Sequence, residues 1–141
     1  MKPKLVLDTN ILLDLFYFKD QSVEGLLNSL VEHKITAYTC ADIWAELEEV
    51  LARKPFAQSF EQIKAIRDTN SSLFEWLTPG VKKSGIKCSD PDDQIFIELA
   101  VTIAPCYLIT KDKDLLRLSK RLLQANIQTL KKFGDDLLLD N

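Results

Sequence analysis

Histidine occurs once in this chain, at His33. A His-rich metal site is therefore excluded, and a His-dependent triad would rest on that residue alone. Cys40, Cys88 and Cys106 are odd in number, scattered and without a CxxC pair, so neither a zinc site nor a disulfide framework is expected. Reduced thiols and a cytoplasmic location follow as the default expectation. With 4 Gly and 5 Pro in 141 residues, the chain is neither of low complexity nor a turn-rich all-β protein. No apolar run approaches a membrane span, and Asp8 stops the run Leu5-Val6-Leu7, so neither a signal peptide nor a membrane partner is expected. Excess charge is small: 21 acids against 18 Lys and Arg leave a net charge of -3. That balance argues against a protein that coats nucleic acid, though not against a local basic patch. Any enzymatic chemistry should rest on carboxylates.

What is present is a hydrophobic fraction of 46%, enough for one core and one domain over residues 1–141. Leu5-Val6-Leu7 reads as a buried strand ending at Asp8-Thr9-Asn10, after which Ile11, Leu12, Leu15 and Phe16 share a helical face. That face resumes with Val23, Leu26, Leu27 and Leu30. A strand is expected at Ile35–Thr39, a helix from about Asp42 to Arg53, and another from about Ser59 to Leu77, ended by Thr78-Pro79-Gly80. Asp90-Pro91-Asp92-Asp93 is a helix start, with Asp90 as N-cap and Pro91 in the first turn, and the helix should run to about Ile103. Strands at Tyr107–Thr110 and Ile127–Leu130 flank a leucine-rich helix that Asp114 can cap. This alternation predicts a three-layer α/β/α fold around a mainly parallel sheet.

Ligands of open parallel sheets bind beyond the carboxyl ends of the strands. Asp8 and Asp112 both follow strands and so project from one edge. On the Asp42–Arg53 helix, Ile43, Trp44, Leu47, Val50 and Leu51 form the apolar stripe. Glu49 lies opposite it, whereas Glu46 and Glu48 border it equally, and periodicity leaves those two tied.

Leu5-Val6-Leu7-Asp8-Thr9-Asn10-Ile11-Leu12, Glu46-Leu47, Asp90-Pro91-Asp92-Asp93 with Leu99-Ala100, and Thr110-Lys111-Asp112-Lys113-Asp114-Leu115-Leu116 resemble, in order and spacing, the PIN-domain nucleases. Within that family the order and spacing resemble the VapC-like subfamily, often described as toxin components of toxin–antitoxin systems. The resemblance spans Leu5 to about Leu137 and implies a PIN-like α/β/α fold. It makes Asp8, Glu46, Asp93 and Asp112 the catalytic, metal-binding acids, and so breaks the tie in favour of Glu46. Asp90 and Asp114 match further acids that serve as ligands or support them. Asn10 and Thr110 match residues that support the site. The implied activity is Mg²⁺- or Mn²⁺-dependent hydrolysis of RNA, with an antitoxin protein as partner and a homodimer left open. After Ile127–Leu130 a Pro-containing turn is expected, but Lys131-Lys132-Phe133 stands there.

The chemistry suits this reading. Crowded carboxylates repel unless protonated or bound to a cation, and oxygen-only sites select hard divalent ions. Taken singly, Asp90 is an N-cap, Asp92 and Asp93 serve the helix dipole, and Glu46 is a solvated acid; four motifs in order outweigh those readings. Lys82, Lys83 and Lys87 precede the Asp90 motif, and Lys111, Lys113, Arg117, Lys120 and Arg121 surround Asp112. They form either a solvated face or a phosphate-gripping rim, for which Lys111, Lys113 and Arg117 are the foremost candidates. A phosphotransfer protein of haloacid-dehalogenase type would need a second acid in Asp8-Thr9-Asn10, and a receiver would need an acidic pair there. The remaining rival is a PIN-like binding module without catalysis.

Overall fold

A computed structural model of the chain describes residues 2–78 and 85–139. Five strands, β1 (Lys4–Leu7), β2 (Thr36–Thr39), β3 (Phe74–Trp76), β4 (Cys106–Ile109) and β5 (Ile127–Leu130), form one sheet in the order β3-β2-β1-β4-β5. Every pairing is parallel. Helices α1 (Thr9–Leu13), α2 (Glu24–Val31), α3 (Ala41–Ala52), α4 (Phe60–Asn70), α5 (Gln94–Ile103), α6 (Lys113–Leu116) and α7 (Ser119–Gln124) complete a three-layer α/β/α fold.

The central strands are apolar because both of their faces are covered. Leu5, Val6, Leu108 and Ile109 are fully buried, and α5 packs on β1 and β4 with Phe96, Ile97, Leu99 and Ala100 inside. The chain winds outward from β1 through β2 to β3, then returns to the other side of β1 as β4. The sheet therefore reverses direction between β1 and β4, where a crevice opens at the strands' carboxyl ends.

One expected element divides in two. The helix expected from Ser59 to Leu77 stops at Asn70, and Phe74–Trp76 becomes the edge strand β3. Asn70-Ser71-Ser72 offers side chains that compete with the helical ladder, and the open edge of β2 offers a new one. Alternation then matters more than helical period: Phe74 is buried, Glu75 exposed and Trp76 half-buried. Phe74 packs edge-on against Phe16 and Trp44 at centroid distances of 6.0 and 5.8 Å. Trp76 is thus a strand residue beside Trp44, not part of a helical core face. β5 forms in full despite Lys131-Lys132-Phe133 after it. Pro79 and Gly80, expected to end the long helix, and Lys82 and Lys83 of the basic cluster lie outside the described residues.

Candidate active site

The crevice between β1 and β4 collects the acids. Asp8 leaves β1 with its amide bonded to the Ile109 carbonyl of β4 at 3.2 Å. Its Oδ1 caps α1 by accepting from the Ile11 amide at 3.0 Å, and its Oδ2 accepts from the Thr110 hydroxyl. Thr110 is fully buried, and its Oγ1 also accepts from the Asp112 amide at 2.9 Å. One hydroxyl thus ties the acid after β1 to the acid after β4. The Asp112 Oδ1 caps α6 through the Asp114 amide at 2.8 Å. The cap expected at Asp114 therefore falls to Asp112, because the helix begins at Lys113, two residues earlier than expected.

From the opposite wall, Glu46 of α3 points to the same crevice and accepts from the Thr9 hydroxyl at 3.1 Å. Glu48, its rival on periodicity, faces α4 instead and pairs with Arg67 at 2.8 Å. The Asp90-Pro91-Asp92-Asp93 turn enters from α5. Asp90 caps it through the Asp92 amide at 2.9 Å, as expected, while Asp93 turns inward and is 8% exposed. Asp8, Glu46, Asp90, Asp92, Asp93 and Asp112 line one cleft of about 310 Å³, with Thr9 and Asn10 at its α1 side. Asp90, Asp93 and Asp114 bring carboxylate oxygens within 4.8 Å of one another. Every predicted acid thus lies in the cleft or against it. A larger groove of about 510 Å³, between the α1–α2 segment and α4, has Asp20 and Glu24 as the acids among its described lining residues.

Electrostatics follow from that crowding. Burial, a hydrogen bond shared with Asp112 and the charges of Asp112, Asp90 and Glu46 push the Asp93 carboxyl up to about 8. Among the described residues no donor meets its buried Oδ2. Burial also raises Asp8 and Glu46, against the lowering effect of the hydroxyls of Thr110 and Thr9. The Cys88 thiol is raised by desolvation and the surrounding acids, so it stays protonated and is a poor nucleophile.

The expected basic rim is partly engaged by acids. Lys111 pairs with Asp14, and Arg117 pairs with Asp114 at 2.9 Å, while Lys113 is exposed on α6. Sequence reasoning missed Asp92, Arg53 and Phe56 as cleft residues. Asp92 resembles any first-turn helix acid. Arg53 and Phe56 reach the cleft only through the course of the loop after α3, for which local pattern holds no signal.

The PIN domain family model matches residues 4–114, from β1 through the second residue of α6. The chain belongs to the PIN-domain family. PIN domains are nucleases as a family and generally use a divalent metal. No curated protein sequence matches the chain significantly. Among solved structures, this PIN domain is similar to a chain in the crystal structure of VapBC2 from Rickettsia felis bound to a DNA fragment from their promoter. That likeness has a TM-score of 0.63 at 18% identity, and covers 89% of this chain and 98% of the other. It supports the fold.

Proposed function

We propose that this PIN domain is a metal-dependent endoribonuclease, the toxin of a toxin–antitoxin pair, acting in the cytoplasm as one domain over residues 1–141. The observation that carries the reading is Asp93: a buried carboxyl group with an oxygen that no donor among the described residues meets, in a cleft with five other acids. Such an oxygen needs either a proton or a cation. The set is all oxygen, which suits Mg²⁺ or Mn²⁺ rather than a softer ion.

Asp8, Glu46, Asp93 and Asp112 would hold the ion, with Asp90 and Asp114 as further ligands or supports. Bound there, a hard divalent ion supplies activation of water and stabilisation of the leaving oxygen in phosphodiester hydrolysis. The chain's own part is to hold that set in place. Thr110 orients Asp8 and the Asp112 backbone together, and Thr9 restrains Glu46. Asn10 lies at the cleft wall beside Thr9. Without a cation, Asp93 keeps a proton that it can share with Asp112, which relieves their repulsion. Lys113, and Lys111 and Arg117 once they exchange Asp14 and Asp114 for phosphate, supply contacts to RNA at the rim. The toxin reading rests on the family and on the likeness to VapBC2, and it implies an antitoxin partner. A homodimer is compatible with it.

The test is incubation of purified protein with a panel of single-stranded RNA and DNA, with Mg²⁺, Mn²⁺ or EDTA. RNA cleavage that EDTA abolishes is expected. Cleavage undiminished in EDTA would reject the metal mechanism, and RNA binding without cleavage under any of these conditions would make this a binding module.

A further inference from the structure

We propose that Arg53 and Phe56, just beyond α3, form a nucleotide subsite at the lip of the acidic cleft. Arg53 takes a backbone phosphate, and Phe56, backed by Tyr17 and Phe18, stacks the unpaired base next to it. The inference rests on the nuclease reading above and adds how the strand is held.

An acidic cleft must still accept a polyanion. Of the described residues lining it, Arg53 is the one cation. Its guanidinium has no ion-pair partner among the described residues, although Glu46 and Glu49 share its wall. By contrast, Lys111, Arg117 and Arg67 are each held by an acid. An exposed, unpaired guanidinium beside carboxylates can grip a phosphate without first breaking a bond within the protein.

The aromatic neighbours occupy the same lip. Phe56 lines the cleft, and its ring centroid lies 4.8 Å from Tyr17 and 5.8 Å from Phe18. The three rings meet edge to face, at interplanar angles of 87°, 67° and 90°. Phe18 is 55% exposed and Phe56 half-buried, so aromatic surface stays open to solvent at a site where apolar exposure has a cost. The loop that carries Phe56 is fixed by its own backbone: the Ala57 amide bonds to the Arg53 carbonyl at 2.9 Å and the Gln58 amide to the Leu51 carbonyl at 2.8 Å. The Gln58 side-chain amide also bonds to the Phe56 carbonyl at 3.1 Å. A restrained ring stacks a base with little loss of freedom.

Charge decides which way the strand leaves the cleft. On one side Arg53 borders a second groove lined by Asp42, Glu46, Glu49 and Asp92, which repels phosphates. The rings of Phe56, Tyr17 and Phe18, by contrast, carry no charge of their own and are absent from that groove's lining. The path over Phe56 is therefore favoured, and because stacking needs an unpaired base, single strands are favoured over duplex.

The experiment compares the full chain with Phe56→Leu, Phe56→Trp, Arg53→Gln and Arg53→Lys. Its probes are short single-stranded RNAs carrying 2-aminopurine at successive positions, with Mn²⁺ present. Wild type should quench 2-aminopurine at one position. Phe56→Leu should lose that quenching and raise KM about tenfold, with a smaller change in kcat, whereas Phe56→Trp should retain both. Arg53→Gln should weaken binding and flatten the log–log salt slope by about 0.7, the value for one phosphate on a single strand, and Arg53→Lys should restore the slope. Arg53 is exposed, so its variants report even where Phe56→Leu does not fold. A wild type that cleaves RNA, with quenching, KM and salt slope unmoved in the Leu and Gln variants, overturns the subsite alone. A wild type that binds RNA through these residues without cutting it keeps the subsite and overturns the nuclease reading. A wild type that neither binds nor cuts RNA overturns both, including the case in which the same lip binds a protein instead.

Discussion

Asp93 illustrates how a residue's role depends on what it faces. In sequence it is a first-turn helix acid, a type that stabilises a helix by about 0.3–1 kcal/mol through the dipole. In the fold it is buried against Asp112, Asp90 and Glu46, and its carboxyl is held up to about 8. The sign of its linkage follows. Between about pH 4 and pH 8 the native state keeps a proton that the unfolded chain has released. Stability of the metal-free protein should therefore fall as pH rises through that window, and stay low above it. Asp93→Asn removes this dependence and places an amide donor among acceptors. In EDTA the variant should be more stable than wild type by about 1–3 kcal/mol at pH 8, with the difference vanishing near pH 4. RNA cleavage should fall sharply, because an amide is a poorer ligand for a hard cation. Thermal melts across pH in EDTA, alongside a cleavage assay, decide it. A variant that is less stable at pH 8 and fully active would return Asp93 to the dipole reading.

At the scale of elements, three short helical starts double as site supports. Asp8 caps α1, Asp112 caps α6 and Asp90 caps the turn into α5, so forming each helix start also orients one acid. α4 is the opposite case. It buries no residue, packs beside α3, and is held by a capping box between Ser59 and Gln62 and by the Arg67–Glu48 pair. Arg67 also sits over the Trp76 ring at 5.5 Å. Ser59→Ala should therefore cost about 0.5–2 kcal/mol in a chemical melt and leave RNA cleavage at the wild-type rate. A matching loss of cleavage would tie α4 to the site.

For the whole molecule, the reversal of strand order between β1 and β4 concentrates negative charge in one place. The fold tolerates that charge because the burial of β1, β4 and α5 beneath it is extensive. A ligand that binds only the native state stabilises it by mass action, by about 2.7 kcal/mol at a hundredfold excess over its Kd. Titrating Mg²⁺ or Mn²⁺ into EDTA-treated protein should thus raise the melting temperature progressively. Asp93→Asn should show a smaller rise at the same concentration. Equal rises would place the ion away from Asp93.

Much of this architecture is written locally. Apolar runs next to turn residues specify β1 and β4, because a strand covered on both faces needs little else, while β2 and β5 are marked by β-branched and aromatic residues between turn residues. The cap at Asp90 and the parallel, alternating order are legible for the same reason: each depends on neighbours in sequence, whereas the cap at Asp8 shows only in the fold. β3 was not, since Phe74-Glu75-Trp76 alternates over too few residues to stand out within a helical stretch, and only the free edge of β2 makes it a strand. Nor could periodicity choose between Glu46 and Glu48, two residues apart on one helix and equally placed. That choice required α4 to take Glu48 through Arg67 and the crevice to take Glu46. The meeting of Asp8 with Thr110 across 102 positions, and the arrival of Arg53 and Phe56 at the cleft, are likewise decided by packing. The residue types for acidic chemistry are a property of the sequence. The distances that crowd those acids and raise the Asp93 carboxyl belong to the tertiary structure, because charge interactions depend on separation and burial, not on order along the chain.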